Sequence, residues 1–423
     1  MIRRSRPRPE RAPTFRSFSS RNFRLFFAGQ LLSTIGNWLT TIAATLFVLH
    51  LTDSGIAVGV LTAFQFAPML LFGLWAGVIV DRVDKRKLLV VTQVIAACQS
   101  AAFAFLAFSG DPPLAAVYGV ALVGGFVISI DTTARRAFVV EMVDEDMVVN
   151  AVSLNSALMT SGRVIGPVVA GVLIALVGYG WCFTLDALSY LGPTTALLMM
   201  RASELRRAPI LVRAKHQVRD GLRYVRATPE LWLPIVMTAI ISTFTLNVQV
   251  VMPLLVTDTF SSTPTVFTIL FSVLSVGSLL GALWMARRAT LGLTQTVINA
   301  TLLGAAALGM AAAPTLGIAF PVALVFGLGM TAFITASTSN VQLASDPDKR
   351  GRVLALQSVV LIGSTPIGGP ILGVVCETWG ARAGLLLGGV ACLFAAGFGL
   401  WVTMRIAHPT RAADTVAGLG QSS

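Results

Sequence analysis

The chain has 423 residues, of which 55% are hydrophobic and 12% are charged, and its formal net charge is +12. A soluble domain has about 25% charged residues, so most of this chain must face lipid or other helices. Lys and Arg fall in short clusters between apolar runs, which is the pattern of membrane topology and excludes a phosphate-binding face. We therefore expect a lipid bilayer around the chain and no nucleic acid partner.

Runs of roughly 20 apolar residues, enough to cross a hydrocarbon core of about 30 Å, recur along the sequence. The first six predicted spans lie near 23–49, 55–80, 88–108, 114–133, 149–175 and 179–200. The last six lie near 232–256, 264–286, 292–312, 315–338, 352–376 and 380–404. The sequence thus predicts an all-α membrane protein with twelve transmembrane helices.

The basic residues set the orientation of these spans. If the N-terminus is cytoplasmic, the basic clusters all fall in cytoplasmic segments and the external loops hold only Arg382. We predict a basic cytoplasmic arm (1–22), an N-terminal bundle (23–200), a cytoplasmic linker (201–231), a C-terminal bundle (232–405) and a cytoplasmic tail (406–423). Within the linker, Val218, Leu222 and Val225 recur at helical spacing, which predicts an amphipathic helix at the membrane surface; a flexible linker is the alternative.

The two predicted bundles resemble each other. A shift of about 203 residues places Gly166-Pro167 on Gly369-Pro370, and the acidic turn at Asp144 on that at Asp346. A repeat with matching topology predicts a parallel duplication, in which two six-helix pseudo-symmetric bundles are related by an axis along the membrane normal. This architecture places a substrate between the bundles.

The loop between spans 2 and 3 has the pattern of a conformational latch. It combines a glycine that permits close helix approach with an aspartate that can face the positive end of a neighbouring helix. The latch residues are Gly77, Asp81, Arg82, Asp84, Lys85 and Arg86. This loop resembles the loop 2–3 signature of the major facilitator superfamily, although Asp84 replaces a second glycine, and the resemblance implies the major facilitator fold. The alternative is a basic loop that only stops translocation.

Span 5 carries a Gly-Pro motif at Gly162, Gly166, Pro167 and Gly171. Glycines four residues apart let helices touch, and proline bends a helix. The motif resembles that of the proton-coupled exporters of the same superfamily. The segment from Asp131 to Pro167 is similar to the enterobactin-exporter and macrolide-efflux branch, and the resemblance runs from Arg21 to about Arg405.

Two charged residues fall deep in the predicted spans. Arg163 in span 5 and Asp186 in span 6 lie at similar depth, and an unpaired charge there costs on the order of 2.5–3.5 kcal/mol. We therefore predict that they pair, either as a static bridge or as a protonation switch. Asp131 is a further candidate for proton coupling but fits better as a loop organiser, and Glu141 is expected to be solvated.

The resemblance also implies that spans 1, 4, 7 and 10 line the substrate cavity. These spans offer Asn37, Trp38, Asn247, Gln249 and Phe333 as candidate lining residues. A lining of aromatic and amide side chains suits a bulky, amphipathic or weakly charged substrate. The same polar residues could instead bond helix to helix.

These features predict a monomeric secondary transporter in the bacterial inner membrane that exports a drug, a siderophore or another small organic molecule. The energy source is expected to be the proton gradient, with no bound cofactor. The sequence contains no metal-ligand cluster, nucleotide loop or nucleophile triad, so we expect neither an enzyme nor a metal site. An importer or lipid flippase of the same fold and a non-transporting receptor or scaffold are the alternatives.

Overall fold

The structure is a computed structural model that describes residues 15–206, 223–288, 292–346 and 349–419, with backbone alone at 74, 78, 81, 351, 352 and 406–419. The helices of the first half are α1 (Arg21–Thr52), α2 (Gly55–Arg82), α3 (Lys85–Phe108), α4 (Leu114–Glu141), α5 (Val148–Val177), α6 (Tyr179–Ser189) and α7 (Leu191–Met199). Those of the second half are α8 (Pro229–Phe244), α9 (Val248–Leu254), α10 (Pro264–Ala286), α11 (Leu293–Ala312), α12 (Leu316–Ala344), α13 (Arg350–Gly363), α14 (Thr365–Trp379) and α15 (Ala381–Leu419).

Within the described residues, 11 helical segments are long and apolar enough to cross a membrane. The predicted sixth span is not one of them, and in the structure it consists of α6 and α7, which meet at Tyr190. Pro193 has no amide hydrogen to donate to the carbonyl of Ser189, four residues earlier, where α6 ends. The other predicted spans coincide with helices of the structure.

Two more spans are interrupted and resumed. The seventh consists of α8 and α9, and Asn247 between them donates through Nδ2 to the carbonyls of Ser242 (3.0 Å) and Thr243 (2.8 Å). These bonds satisfy carbonyl groups that the interrupted helix leaves without amide partners. The eleventh consists of α13 and α14, which meet at Ser364.

Two ends of the molecule are distinguished by their connections. We call the end with the α2–α3, α4–α5 and α10–α11 connections the basic end, and the opposite end, with Asp53, Gly178 and Gly380, the neutral end. Gly178 (φ +81°) and Gly380 (φ +85°) have left-handed backbone conformations and occupy matching places after α5 and α14. Their spacing follows the shift of about 203 residues that the sequence repeat predicts.

The helices pack in two groups, α1–α7 and α8–α15, that meet along a few pairs. The main pairs between the groups are α2 with α14 and α5 with α10. These two pairs are equivalent in the sequence repeat, because a shift of about 203 residues places α5 on α14 and α2 on α10. Most of the predicted linker lies outside the described residues, but Val225 is buried against Leu231 and Val353 of the second group.

Candidate functional site

Small residues bring the two helix groups together near the neutral end. A Cβ added to Gly171 of α5 would overlap Thr268 of α10, and Gly55 of α2 likewise lies against Gly373 of α14. The Gly-Pro motif of each half therefore lies at a contact with the other half. Within the first group, Gly162 and Gly166 pack on Thr34 and Trp38 of α1, which agrees with the predicted packing role of the motif.

The same end carries a polar contact between the groups. Glu377 of α14 accepts hydrogen bonds through Oε2 from the Ser54 hydroxyl (2.5 Å) and the Ile56 amide (3.0 Å) at the start of α2. A carboxylate is stabilised at a helix N-terminus by the unpaired amides and the helix dipole. Sequence reasoning missed this contact, because its partners are more than 300 residues apart.

Toward the basic end, α5 and α10 present exposed side chains to each other. Ser153 precedes Gly171 by about five helical turns, so it points in the same direction, toward α10. Leu279 follows Thr268 by about three turns and points back toward α5. Ser153 is exposed, and Leu279 is 39% exposed. From these exposed side chains we infer a gap between the two helix groups on the basic side of the Gly171–Thr268 contact.

Asp186 lies fully enclosed among α1, α3 and α6, with 0% exposure. Its Oδ2 accepts hydrogen bonds from the hydroxyls of Thr40 (2.6 Å) and Ser100 (2.6 Å), and Ser189 lies 3.4 Å from Oδ1. Gly36 makes room for the carboxylate, since a Cβ there would collide with it. These hydroxyls give no distinctive sequence signal, because Ser and Thr also bond to their own helix backbone in many spans.

The predicted pairing of Arg163 with Asp186 is wrong. Among the described residues Arg163 makes no ion pair, and its Nε is buried without a hydrogen-bond partner. Its guanidinium carbon lies 5.9 Å from the ring centroid of Trp38. Similar depth in the membrane did not bring the two charges together, because Asp186 faces α1 and α3 and is satisfied there by hydroxyls.

Asp131 organises the basic end of α4. It accepts from Arg135 Nε (2.9 Å) and Nη2 (2.5 Å), one helical turn away, and from Thr92 (2.9 Å) and Gln93 (2.7 Å) of α3. This arrangement agrees with the organising role that the sequence favours for Asp131. Its part in proton coupling stays a prediction.

The residues of the predicted latch join helices at the basic end. Asp84 caps α3 by accepting from the Lys87 amide (3.1 Å). Lys85 pairs with Glu141 at the end of α4 (2.6 Å), with side chains 13% and 6% exposed. The expectation that Glu141 is solvated is therefore wrong, because its carboxylate is buried against the Lys85 ammonium.

Arg86 ties the same loop to α7. It donates to the carbonyls of Leu197 (2.6 Å) and Leu198 (2.8 Å), where a cation offsets the negative end of the helix dipole. Gly77 lies within α2 and Arg82 is exposed at its end. The side chain of Asp81 lies outside the described residues.

Helix register indicates which part of the backbone lies opposite position 81 of α2. Because α2 runs antiparallel to α14 and α13, Gly59 lies against Gly369 and Leu70 against Gly363. Continued along α2, this register places the backbone of Asp81 opposite the start of α13 near residue 350. The contact of the Asp81 side chain with a helix N-terminus stays a prediction.

The predicted substrate-lining residues differ in position. Asn37 is exposed and accepts from the Tyr190 hydroxyl (3.0 Å), Trp38 packs on Phe271 of α10 (5.9 Å between centroids), and Gln249 is half-buried. For two residues, the predicted role in lining a substrate cavity is wrong in this conformation. Phe333 is fully enclosed in the core, and Asn247 is 4% exposed because its amide bonds the interrupted end of α8.

No group of three or more His, Cys, Asp or Glu side chains is arranged to hold a metal ion in the described part of the chain. The four cysteines are free thiols.

Solved structures with similar backbones show which fold the chain has. A bacterial homologue of the lysosomal transporter Spinster, in an inward-facing and unoccupied conformation, superposes with a TM-score of 0.71 at 15% identity over 92% of this chain and 97% of that one. A POT family transporter in complex with 5-aminolevulinic acid gives a TM-score of 0.76 at 8% identity over 92% and 97% of the two chains. The chain has the fold of a polytopic membrane transporter.

The family follows from the sequence comparison. A family model described as "Transmembrane secretion effector" matches residues 12–417. The chain belongs to this family of the major facilitator superfamily, which confirms the resemblance that its motifs carry.

Relatives of the chain carry the names of transporters and efflux proteins. Macrolide efflux protein A of Streptococcus pyogenes is 21% identical over 87% of this chain and 92% of its own length. The enterobactin exporter EntS of Escherichia coli is 24% identical over 90% and 89% of the two chains. The staphyloferrin A transporter of Staphylococcus aureus is 29% identical, over 40% of this chain and 42% of its own length.

Proposed function

We propose that this protein is a proton-coupled exporter of a small organic molecule, such as a drug, a siderophore or another secondary metabolite. It works by alternating access between two six-helix bundles, with α6 and α7 together acting as the sixth of twelve spans. The proton gradient supplies the energy, and no bound cofactor is needed. Names of relatives that denote macrolide efflux and enterobactin export support the direction and the substrate class.

The observation that carries this proposal is the enclosure of Asp186 by hydroxyl groups. A hydroxyl can donate to a carboxylate and can accept from a carboxylic acid, so Thr40 and Ser100 satisfy either protonation state. Because no cation pairs with Asp186 among the described residues, protonation breaks no ion pair. Asp186 can therefore gain and lose a proton without a rearrangement of the side chains around it.

The proposed sidedness follows from the distribution of basic residues. The basic end faces the cytoplasm and both termini lie there, in accordance with the positive-inside rule. The gap between α5 and α10 then opens to the cytoplasm, where an exporter loads its substrate. Asp81 acts as a latch against the start of α13 when the basic end closes. The protein works as a monomer in the bacterial inner membrane.

The test is transport into everted vesicles under an imposed pH gradient, with a cationic dye, a macrolide and a catecholate siderophore as the substrate panel. We expect at least one substrate to accumulate in a gradient-dependent manner. Asp186→Asn keeps the hydrogen bonds but cannot ionise, so it should abolish gradient-driven accumulation and keep exchange of labelled for unlabelled substrate.

Asp111→Asn is the matched control, because Asp111 is exposed in the connection between α3 and α4. It should accumulate substrate as the wild type does. Undiminished gradient coupling in Asp186→Asn would remove this carboxylate from the proton path. Transport in the opposite sense alone would favour an importer.

A further inference from the structure

The gap between α5 and α10 has a polar wall and an apolar wall. Ser153, Ser156 and Thr160 lie on the side of α5 that faces α10, at helical spacing. Across the gap, Leu279 and Leu283 of α10 are 39% and 53% exposed. A ligand in this gap therefore meets hydroxyl groups on one side and aliphatic side chains on the other.

The gap ends at Arg163. Gly162 lies on the face of α5 toward α1, and Thr160 lies on the face toward α10. Helix geometry places Arg163 between these two faces. Just beyond it, Trp38 of α1 and Phe271 of α10 close the space with their rings 5.9 Å apart. Arg163 is thus the charged group at the closed end of the gap.

Arg163 lacks the partners that other buried or partly buried charges of the protein have. Lys85, Arg135 and Asp186 are each held by a carboxylate or by hydroxyls. Among the described residues Arg163 makes no hydrogen bond, and its planar guanidinium lies over the Trp38 ring. A partly buried, unpaired cation is costly, and an incoming anion offsets that cost.

We infer that Arg163 and Trp38 form the binding site for an organic anion with a flat apolar body, at the closed end of the gap between α5 and α10. The guanidinium offers a fork of N–H donors that fits a carboxylate, sulfonate or phosphate. The Trp38 ring and Leu279 cover the apolar body, and the α5 hydroxyls contact its polar substituents. This inference rests on the proposed export function and names the charge and shape of its substrate.

The test measures binding of two probes of nearly equal shape, 2-naphthoate and 2-naphthamide, to the full chain in lipid nanodiscs by calorimetric titration. The wild type should bind the anion at least about tenfold more tightly than the neutral amide, as one charge-assisted hydrogen bond supplies. Arg163→Gln should remove this preference and leave the affinity for 2-naphthamide unchanged. Arg163→Lys should keep part of the preference, since it retains the charge without the fork.

Two further variants keep the result interpretable. Arg24→Gln removes an exposed Arg near the start of α1 and should leave both affinities unchanged. Trp38→Leu should weaken both probes and keep the preference for the anion, since it removes the ring and spares the charge. Each variant is used only if it elutes as a single species in size-exclusion chromatography.

Absence of saturable 2-naphthoate binding to the wild type, or the same preference in Arg163→Gln, would overturn the inference. The proposed function fails by a different result, namely transport that ignores the pH gradient. If the wild type prefers 2-naphthoate but its transport ignores the pH gradient, only the proton coupling is overturned. If its transport follows the gradient but it does not prefer 2-naphthoate, only the anion site is overturned.

Discussion

Lys85 and Glu141 form an ion pair at the basic end whose two side chains are almost enclosed. Removal of one partner leaves the other charge buried and unpaired, so we expect Glu141→Gln to destabilise the protein by about 3 kcal/mol. The double variant Lys85→Met with Glu141→Leu should recover most of this loss, because no charge is then left without a partner. The midpoint of SDS-induced unfolding in mixed micelles measures both effects.

The exposed pair of Arg201 and Glu204, with side chains 62% and 42% exposed, is the control. Glu204→Gln should change stability by less than about 1 kcal/mol. Equal losses in Glu141→Gln and Glu204→Gln would contradict the structural role of the buried pair.

The role of a residue was predictable from the sequence where its partner is near in the chain. It was not predictable where the partner is distant in the chain. Asp131 fits a loop organiser in the sequence alone, and in the structure it pairs with Arg135 one helical turn away. The partner of Lys85 lies 56 residues away, so nothing near Glu141 indicates its burial. The partners of Asp186 could not be found, since sequence gives the depth of a side chain in the membrane but not its rotation about the helix axis.

The contact between α1 and α5 depends on glycine. A Cβ on Gly166 would overlap the Cβ of Trp38, and both atoms belong to rigid helices. We expect Gly166→Ala to push α1 away from α5, to cost about 1–3 kcal/mol and to reduce transport. SDS unfolding and vesicle uptake measure the two effects.

Gly119→Ala is the matched control, because nothing lies within 4 Å of a Cβ at Gly119 in α4. Alanine there should be neutral or stabilise the helix by up to about 1 kcal/mol. A similar loss in both variants would show that helix propensity, rather than the contact with Trp38, decides the effect.

Helices were predictable because the bilayer fixes their length and composition, but their interruptions were not. Apolar sequence continues through Tyr190, Leu246 and Ser364, so hydropathy gives one span in each place where the structure has two helices. Asn247 illustrates the reason. Its amide looks available to a substrate in the sequence, yet it satisfies carbonyl groups that only the broken backbone exposes.

The sequence predicts a duplication of the whole molecule, but it does not predict the conformation of the molecule. Matching Gly-Pro motifs predict related helices, and in the structure α5 and α14 make equivalent contacts with α10 and α2. In the proposed alternating-access cycle, the end of the molecule that is closed depends on a small free-energy difference between two conformers of one sequence. Composition and spacing are the same in both, so they carry no information on this point.

The contact of Glu377 with Ser54 and Ile56 holds the two helix groups together at the neutral end. Glu377→Gln replaces a charged acceptor at the start of α2 with a neutral one, which weakens the contact by about 1 kcal/mol. We therefore expect the population open at the neutral end to rise about fivefold. Distances between spin labels at positions 111 and 261, in a background with Cys98 replaced by Ser, measure this population. Asp258→Asn, exposed at the same end and bonded to its neighbour Thr257, should leave the distances unchanged. An unchanged distance distribution in Glu377→Gln would contradict a role for this contact in closing the neutral end.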